Sequence, residues 1–120
     1  MKARCRAAIA IAVSLVALAS NSLRADETGI ASWYGSESGT RTASGERFDP
    51  EGMTAAHPSK PFGTKLKITV LTTGMTCIVR INDRGPARWT HRIIDLSKGA
   101  ARTCGLIRSG TAKVSLKVLP

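Results

Sequence analysis

Apolar and polar residues alternate with a period of two through much of the chain, the mark of strands with one buried and one wet face. Leu66, Ile68 and Val70 oppose Lys65, Lys67 and Thr69, and Cys77, Val79 and Ile81 oppose Ile78, Arg80 and Asn82. Thr73-Gly74 separates these runs, which predicts a hairpin of Lys65–Leu71 with Thr76–Asn82. Ala112, Val114, Leu116 and Val118 alternate with Lys113, Ser115 and Lys117 in a further strand. Shorter apolar stretches predict strands at Gly29–Gly35, Met53–His57 and Arg92–Ser97. Lys98–Cys104 has helical composition between a capping Ser97 and a closing Gly105. Six short strands and one helix make a mainly β domain, and a small closed barrel is favoured over a sandwich because closure removes exposed edges.

The first 25 residues break this pattern. Lys2, Arg4 and Arg6 precede the apolar run Ala7–Ala19, and a polar stretch leads to Leu23-Arg24-Ala25. That is the layout of a secretory signal peptide cleaved after Ala25, with Ala19 the lesser alternative. The run is shorter than the ~20 apolar residues that a membrane-spanning helix needs. No cysteine follows it to carry a lipid, so a soluble exported domain over 26–120 is expected, monomeric and without a lasting membrane anchor.

Cleavage removes four of the 18 cations and none of the eight acids, which lowers the formal charge from +10 to +6. A moderately basic exported domain suits an anionic envelope polymer. Export, and cations scattered rather than interleaved with aromatics, argue against nucleic acid. Cys77 and Cys104 remain after cleavage. They either close a disulfide, worth ~3 kcal/mol in the chain-entropy model, or stay buried as small hydrophobes, and export favours the bridge. His57 and His91 stand apart from each other and from the cysteines, so neither a metal site nor another cofactor is expected.

Candidate chemistry gathers where strands end. Val79–Pro86 breaks from strand into turn at Gly85-Pro86 and delivers Asp83 between Arg80 and Arg84. The competing reading of Asp83 is an Asx-type turn cap. Gly35–Pro50 holds little apolar content and is read as a long loop outside the core, which makes Glu46 a second candidate. His57, beside Pro58, is either a site residue or a structural histidine. Asp95 lies inside an apolar strand and reads as a structural acid bonded to loop backbone, with catalysis the lesser reading.

Five stretches in order, GIASWYG at Gly29–Gly35, TASGE at Thr42–Glu46, MTAAH at Met53–His57, VRINDRGP at Val79–Pro86 and IIDLS at Ile93–Ser97, closely resemble the rare lipoprotein A family of bacterial envelope proteins. The resemblance implies a six-stranded double-psi β-barrel. It implies a lytic transglycosylase on peptidoglycan glycan strands, cutting between N-acetylmuramic acid and N-acetylglucosamine and leaving an anhydro end. It also implies functional residues at Glu46, His57 and Asp83. The alternative that the barrel superfamily offers is an expansin-like module that binds polysaccharide without cutting it. The acylated cysteine and the C-terminal glycan-binding repeat domain of many relatives have no counterpart in this sequence.

Under this implied activity, Asp83 is expected to protonate the leaving oxygen and Glu46 to stabilise the charge that develops, with the reverse assignment open. His57 then orients or shares a proton with one of them. Arg80 and Arg84 are candidate substrate ligands. If both paired with Asp83 they would hold it ionised and move the acid role to Glu46. Trp33 and Tyr34 are expected either to stack on sugar faces or to join the core.

Overall fold

The computed structural model describes residues 26–120, so the expected leader at 1–25 lies outside the described residues. Six strands form: β1 (Glu27–Tyr34), β2 (Thr54–Ala56), β3 (Lys65–Val70), β4 (Thr76–Asp83), β5 (Arg92–Ser97) and β6 (Thr111–Val118). They close into a barrel in the order β1-β5-β2-β4-β3-β6. The hairpin of β3 with β4 is antiparallel, as the alternation predicts, and β6 runs antiparallel to both β1 and β3. Two pairings are parallel, β1 with β5 and β2 with β4, and the antiparallel pair β2 with β5 joins them.

Inward residues of each strand fill the barrel. Leu66 and Ile68, Val79 and Ile81, Ile94 and Leu96, and Val114 and Leu116 are all buried. Each such side chain contributes about 1.5–3 kcal/mol when taken from water. Helix α1 (Lys98–Cys104) closes one side. Its N-terminus is capped by Ser97, whose Oγ accepts from the Ala100 amide, and it ends at Gly105, which takes the left-handed φ of 79° that a side chain would resist. Cys104 on this helix is joined to Cys77 on β4 by a disulfide, with Cα atoms 5.5 Å apart and both residues buried.

The segment Gly35–Pro50 departs from the sequence expectation in one respect. Phe48 and Thr42 are buried, and the Phe48 ring stacks on Tyr34 with centroids 4.9 Å apart and planes 12° apart. One aromatic and a set of backbone bonds, among them Thr42 N–H to Glu46 O and Phe48 N–H to Thr40 O, hold a stretch that lacks apolar periodicity. The loop is therefore anchored against the barrel.

Gly99 shows how closely that barrel is packed. Its amide donates to Pro50 O at 2.9 Å, and a Cβ built there would lie 2.4 Å from the Glu51 carbonyl oxygen. Gly→Ala in an open helix is stabilising by about 1 kcal/mol. At this contact the sign reverses, and Gly99→Ala is expected to lower unfolding free energy by about 1–3 kcal/mol in a urea titration. An unchanged or raised midpoint would contradict the packing.

Candidate active site

Strict alternation along β4 would send Asp83 to the barrel interior with Val79 and Ile81. The strand breaks step first. Ala55 pairs with Ile81, but Ala56 pairs with Asp83, so β4 carries one extra residue at Asn82. A bulge of this kind reverses the face of every later residue in its strand. Asp83 thereby shares the outer face with Ala56, and Ala56 pairs on its other side with Asp95. A second shift lies in the β1–β5 pair, where Ile30 opposes Arg92 but Ala31 opposes Ile94. It turns Arg92 onto that same outer surface, which Asp95 and Ser32 reach by plain alternation with the buried Ile94, Leu96 and Ala31.

Two carboxylates thus flank one alanine across three adjacent strands. Two strand spacings put their Cα atoms about 10 Å apart. Asp83, Asp95, Tyr34, Arg84 and Ala56 line a single cavity of about 270 Å³. Ala56 has no side chain beyond Cβ, which leaves the floor between the acids open.

Each acid is held in a different way. Asp83 Oδ1 accepts from the amides of Ala43 and Arg84, both at 2.9 Å, while Oδ2 takes the Tyr34 hydroxyl at 3.2 Å. One oxygen serves the chain and the other meets a group of the cavity wall. Asp95 Oδ1 accepts from Ser32 Oγ, and Arg92, 3.9 Å away, donates to that same Ser32 Oγ at 2.8 Å. The expected bond from Asp95 to loop backbone is replaced by this side-chain pair, and Asp95 faces the cavity.

The arginines beside Asp83 do not pair with it. Arg80 makes a two-pronged contact with Glu46, at 2.6 and 2.8 Å. This guanidinium holds the Glu46 carboxyl below the usual glutamate range, with a smaller contribution from the Asn82 side chain. Arg84 lies 4.0 Å over the Phe62 ring and donates to the carbonyls of Lys60 and His57, at 2.9 and 3.3 Å. Both expected substrate ligands are engaged within the fold, and Arg84 alone of the two lines the cavity.

The three residues expected to act together lie on neighbouring segments, but their side chains have separate partners. Glu46 reaches β4 at Arg80, while Asp83 turns to Tyr34 and the Thr42–Glu46 loop. His57 is buried and turned to the far side of β2, where Nε2 lies 2.9 Å from Glu27. Its Nδ1 accepts from the amides of Ser59 and Lys60, which places the ring proton on Nε2, pointing at Glu27. Trp33 is half-buried against the core cluster, and Tyr34 bridges Phe48 and Asp83 rather than standing free for a sugar. Among the described residues no group of three or more His, Cys, Asp or Glu is placed to hold a metal ion.

A family model described as "Lytic transglycolase", of the double-psi β-barrel type, matches residues 26–116. The chain belongs to that family. Over 102 residues, 82 % of its length, it is 53 % identical to a protein of Nostoc sp. named "Probable endolytic peptidoglycan transglycosylase RlpA". Over 92 residues, 76 % of its length, it is 50 % identical to the "Endolytic peptidoglycan transglycosylase RlpA" of Campylobacter jejuni. It spans only 27 % and 33 % of those two proteins. The double-psi barrel itself recurs in an apo expansin of Clavibacter michiganensis, at a TM-score of 0.62 and 21 % identity over 79 % of this chain and 50 % of that one.

What sequence reasoning misses in this lytic transglycolase barrel is the partnership of Asp95 with Asp83. The only sequence signal for it is an acid where the Arg92–Ser97 strand should present a passive outer face. Exposed Trp89 and Phe62 escape it as well, although a Trp within a Pro-Ala-Arg turn has no apolar run to join.

Tyr34 offers a direct check, because it is the one tyrosine in the chain. Burial first, then the adjoining Asp83 carboxylate, push its hydroxyl well above the ordinary tyrosine value. Tyrosinate absorbance of the folded protein is expected to stay low through the usual midpoint near pH ~10 and to rise only at stronger alkali. The raised folded value means that this hydroxyl's contribution to stability is full at neutral pH and is lost as pH climbs toward the folded value. A midpoint near 10 in the native protein would contradict the Tyr34–Asp83 contact.

Proposed function

We propose that the chain is an endolytic peptidoglycan lytic transglycosylase acting in the cell envelope, which it reaches by export and loss of residues 1–25. Its substrate is the glycan strand, cut between N-acetylmuramic acid and N-acetylglucosamine to leave an anhydro end. The observation that carries this reading is the placement of Asp83 and Asp95 on either side of Ala56 in one open cavity. Family membership supports it independently.

Breaking a glycosidic bond needs a proton on the departing oxygen and negative charge near the oxocarbenium-like carbon. Asp83 gives the proton through Oδ2, positioned by Tyr34. The bond from the muramic carbon to oxygen breaks, and Asp95 faces the charge that develops. The primary hydroxyl of the same muramic sugar then attacks that carbon and returns its proton to Asp83. No water is consumed, and the acid is restored. Glu46, kept ionised by Arg80, is the other candidate for the electrostatic role and is unsuited to the acid role.

A second reading, polysaccharide binding without turnover, is favoured by one observation. Glu46 and His57 are both committed to partners within the fold, Arg80 and Glu27, rather than turned to the cavity.

Incubation with purified sacculi and mass spectrometry of the soluble products separates these. Anhydro-ended muropeptides are expected. Asp83→Asn should reduce their release by about 10²-fold or more, as loss of an acid-base group does. Asp95→Asn is expected to cost a similar factor and Glu46→Gln about tenfold. Release that survives both Asp83→Asn and Asp95→Asn would overturn the assignment. Reducing ends would show hydrolysis instead, and pelleting without release would show binding alone.

A further inference from the structure

Beside the cavity of the two acids lies a second one, of about 380 Å³, on the other side of Arg92. Arg88, His91, Arg92 and His57 line it, together with a single acid, Glu27, whose carboxylate is taken up by His57 Nε2. Arg88 and His91 are exposed. Among the described residues Arg88 has no carboxylate partner within salt-bridge distance. The cavity is therefore net cationic, with a free guanidinium at its wall.

Trp89 follows Arg88 in the chain, lies outside the cavity's lining and is 81 % exposed. Its exposure is built in rather than incidental to a loose loop. The turn Arg88–Thr90 that presents it is fixed by Thr90, whose amide and hydroxyl both donate to Ala87 O, at 3.0 and 2.6 Å, and by the His91 amide on Arg88 O at 3.1 Å. An indole held out from a pinned turn offers a flat apolar face of the kind that packs on a sugar ring. Arg92 then ties the two cavities together, because it lines the cationic one while donating to Ser32, the hydroxyl that holds Asp95 of the other.

We propose that this second cavity is a subsite for a carboxylate-bearing sugar unit of the glycan, with Trp89 under the ring and Arg88, supported by His91 and Arg92, on the carboxylate. The inference rests on the glycan-cutting reading above and adds to it a requirement for charge on the sugar next to the scissile bond. Two sources on a murein strand carry the same chemistry. One is the free lactyl group of a muramic unit without peptide, and the other is the carboxylates of the stem peptide.

The test is equilibrium binding by Asp83→Asn protein, in which cutting is expected to be slowed by about 10²-fold or more, to three probes of equal length. These are a chito-oligosaccharide, which has no carboxylate, an amidase-stripped muramyl glycan and its peptide-bearing form. At least one muramyl probe is expected to bind about tenfold tighter than the chito-oligosaccharide, with the advantage shrinking as salt is raised. Arg88→Gln is expected to remove that tenfold, and Arg88→Lys to restore part of it. Trp89→Ala is expected to weaken all three probes by about three- to tenfold. Whichever muramyl probe keeps the advantage identifies the carboxylate. Equal binding of all three, or an Arg88→Gln loss shared equally with the chito-oligosaccharide, would overturn the subsite and leave the cutting activity standing. Failure to bind any probe, with no anhydro product from sacculi, would overturn both.

Discussion

A parallel strand pair keeps its hydrogen-bonding groups in step, and a single extra residue in one strand turns every later side chain to the opposite face. In this barrel that happens at Asn82 in β4 and again in the pairing of β1 with β5. Without the first shift Asp83 would point among Val79 and Ile81, where an unpaired carboxylate costs several kcal/mol to desolvate. With it, the acid moves onto the outer surface beside Ala56 and Asp95. The geometry of the candidate site depends on that one displaced residue.

Around it the fold supplies rigidity. β2 is only three residues long, yet it is hydrogen-bonded to β4 on one side and β5 on the other, so the floor between the two acids belongs to the closed sheet. The disulfide from Cys77 to Cys104 fastens α1 to β4, and Ser97 and Gly99 lock the helix start against the Pro50–Gly52 turn. The Thr42–Glu46 loop is pinned to the end of β4 by the bonds of Ala43 and Ser44 to Asp83 and Asn82. The backbone around the site is thereby tethered on several sides. This is the preorganisation that electrostatic stabilisation of a charged transition state requires.

Much of this is legible in the chain. The alternation through Lys65–Leu71, Thr76–Asn82 and Ala112–Val118 marks three strands to within one residue of their observed ends, and Ser97 with Gly105 marks both ends of the helix, because period and capping are local properties. Five ordered motifs carry the family and with it the closed barrel. Register is not legible. A bulge leaves no mark in composition, so nothing in Val79–Asp83 announces that Asp83 changes face or that Asp95 will sit opposite it. The pairing of Arg80 with Glu46 across 34 positions, and the burial of Phe48 against Tyr34, are tertiary contacts between segments whose own patterns are silent.

Charge divides the outer surface into a working order. Asp83 and Asp95 line one cavity, Glu46 is neutralised by Arg80 of β4, and the cationic cavity lies beyond Arg92. On the proposed reading, a glycan strand laid across both cavities meets the two acids in one and the cationic wall in the other. The most direct measurement is a crystal structure of Asp83→Asn protein with a muramyl-glucosaminyl oligosaccharide bound. The account predicts the scissile oxygen above Ala56, within hydrogen-bond reach of the side chain at position 83 and with Asp95 on the far side of the muramic carbon. A strand that crosses the barrel elsewhere, leaving the Ala56 floor empty, would contradict it.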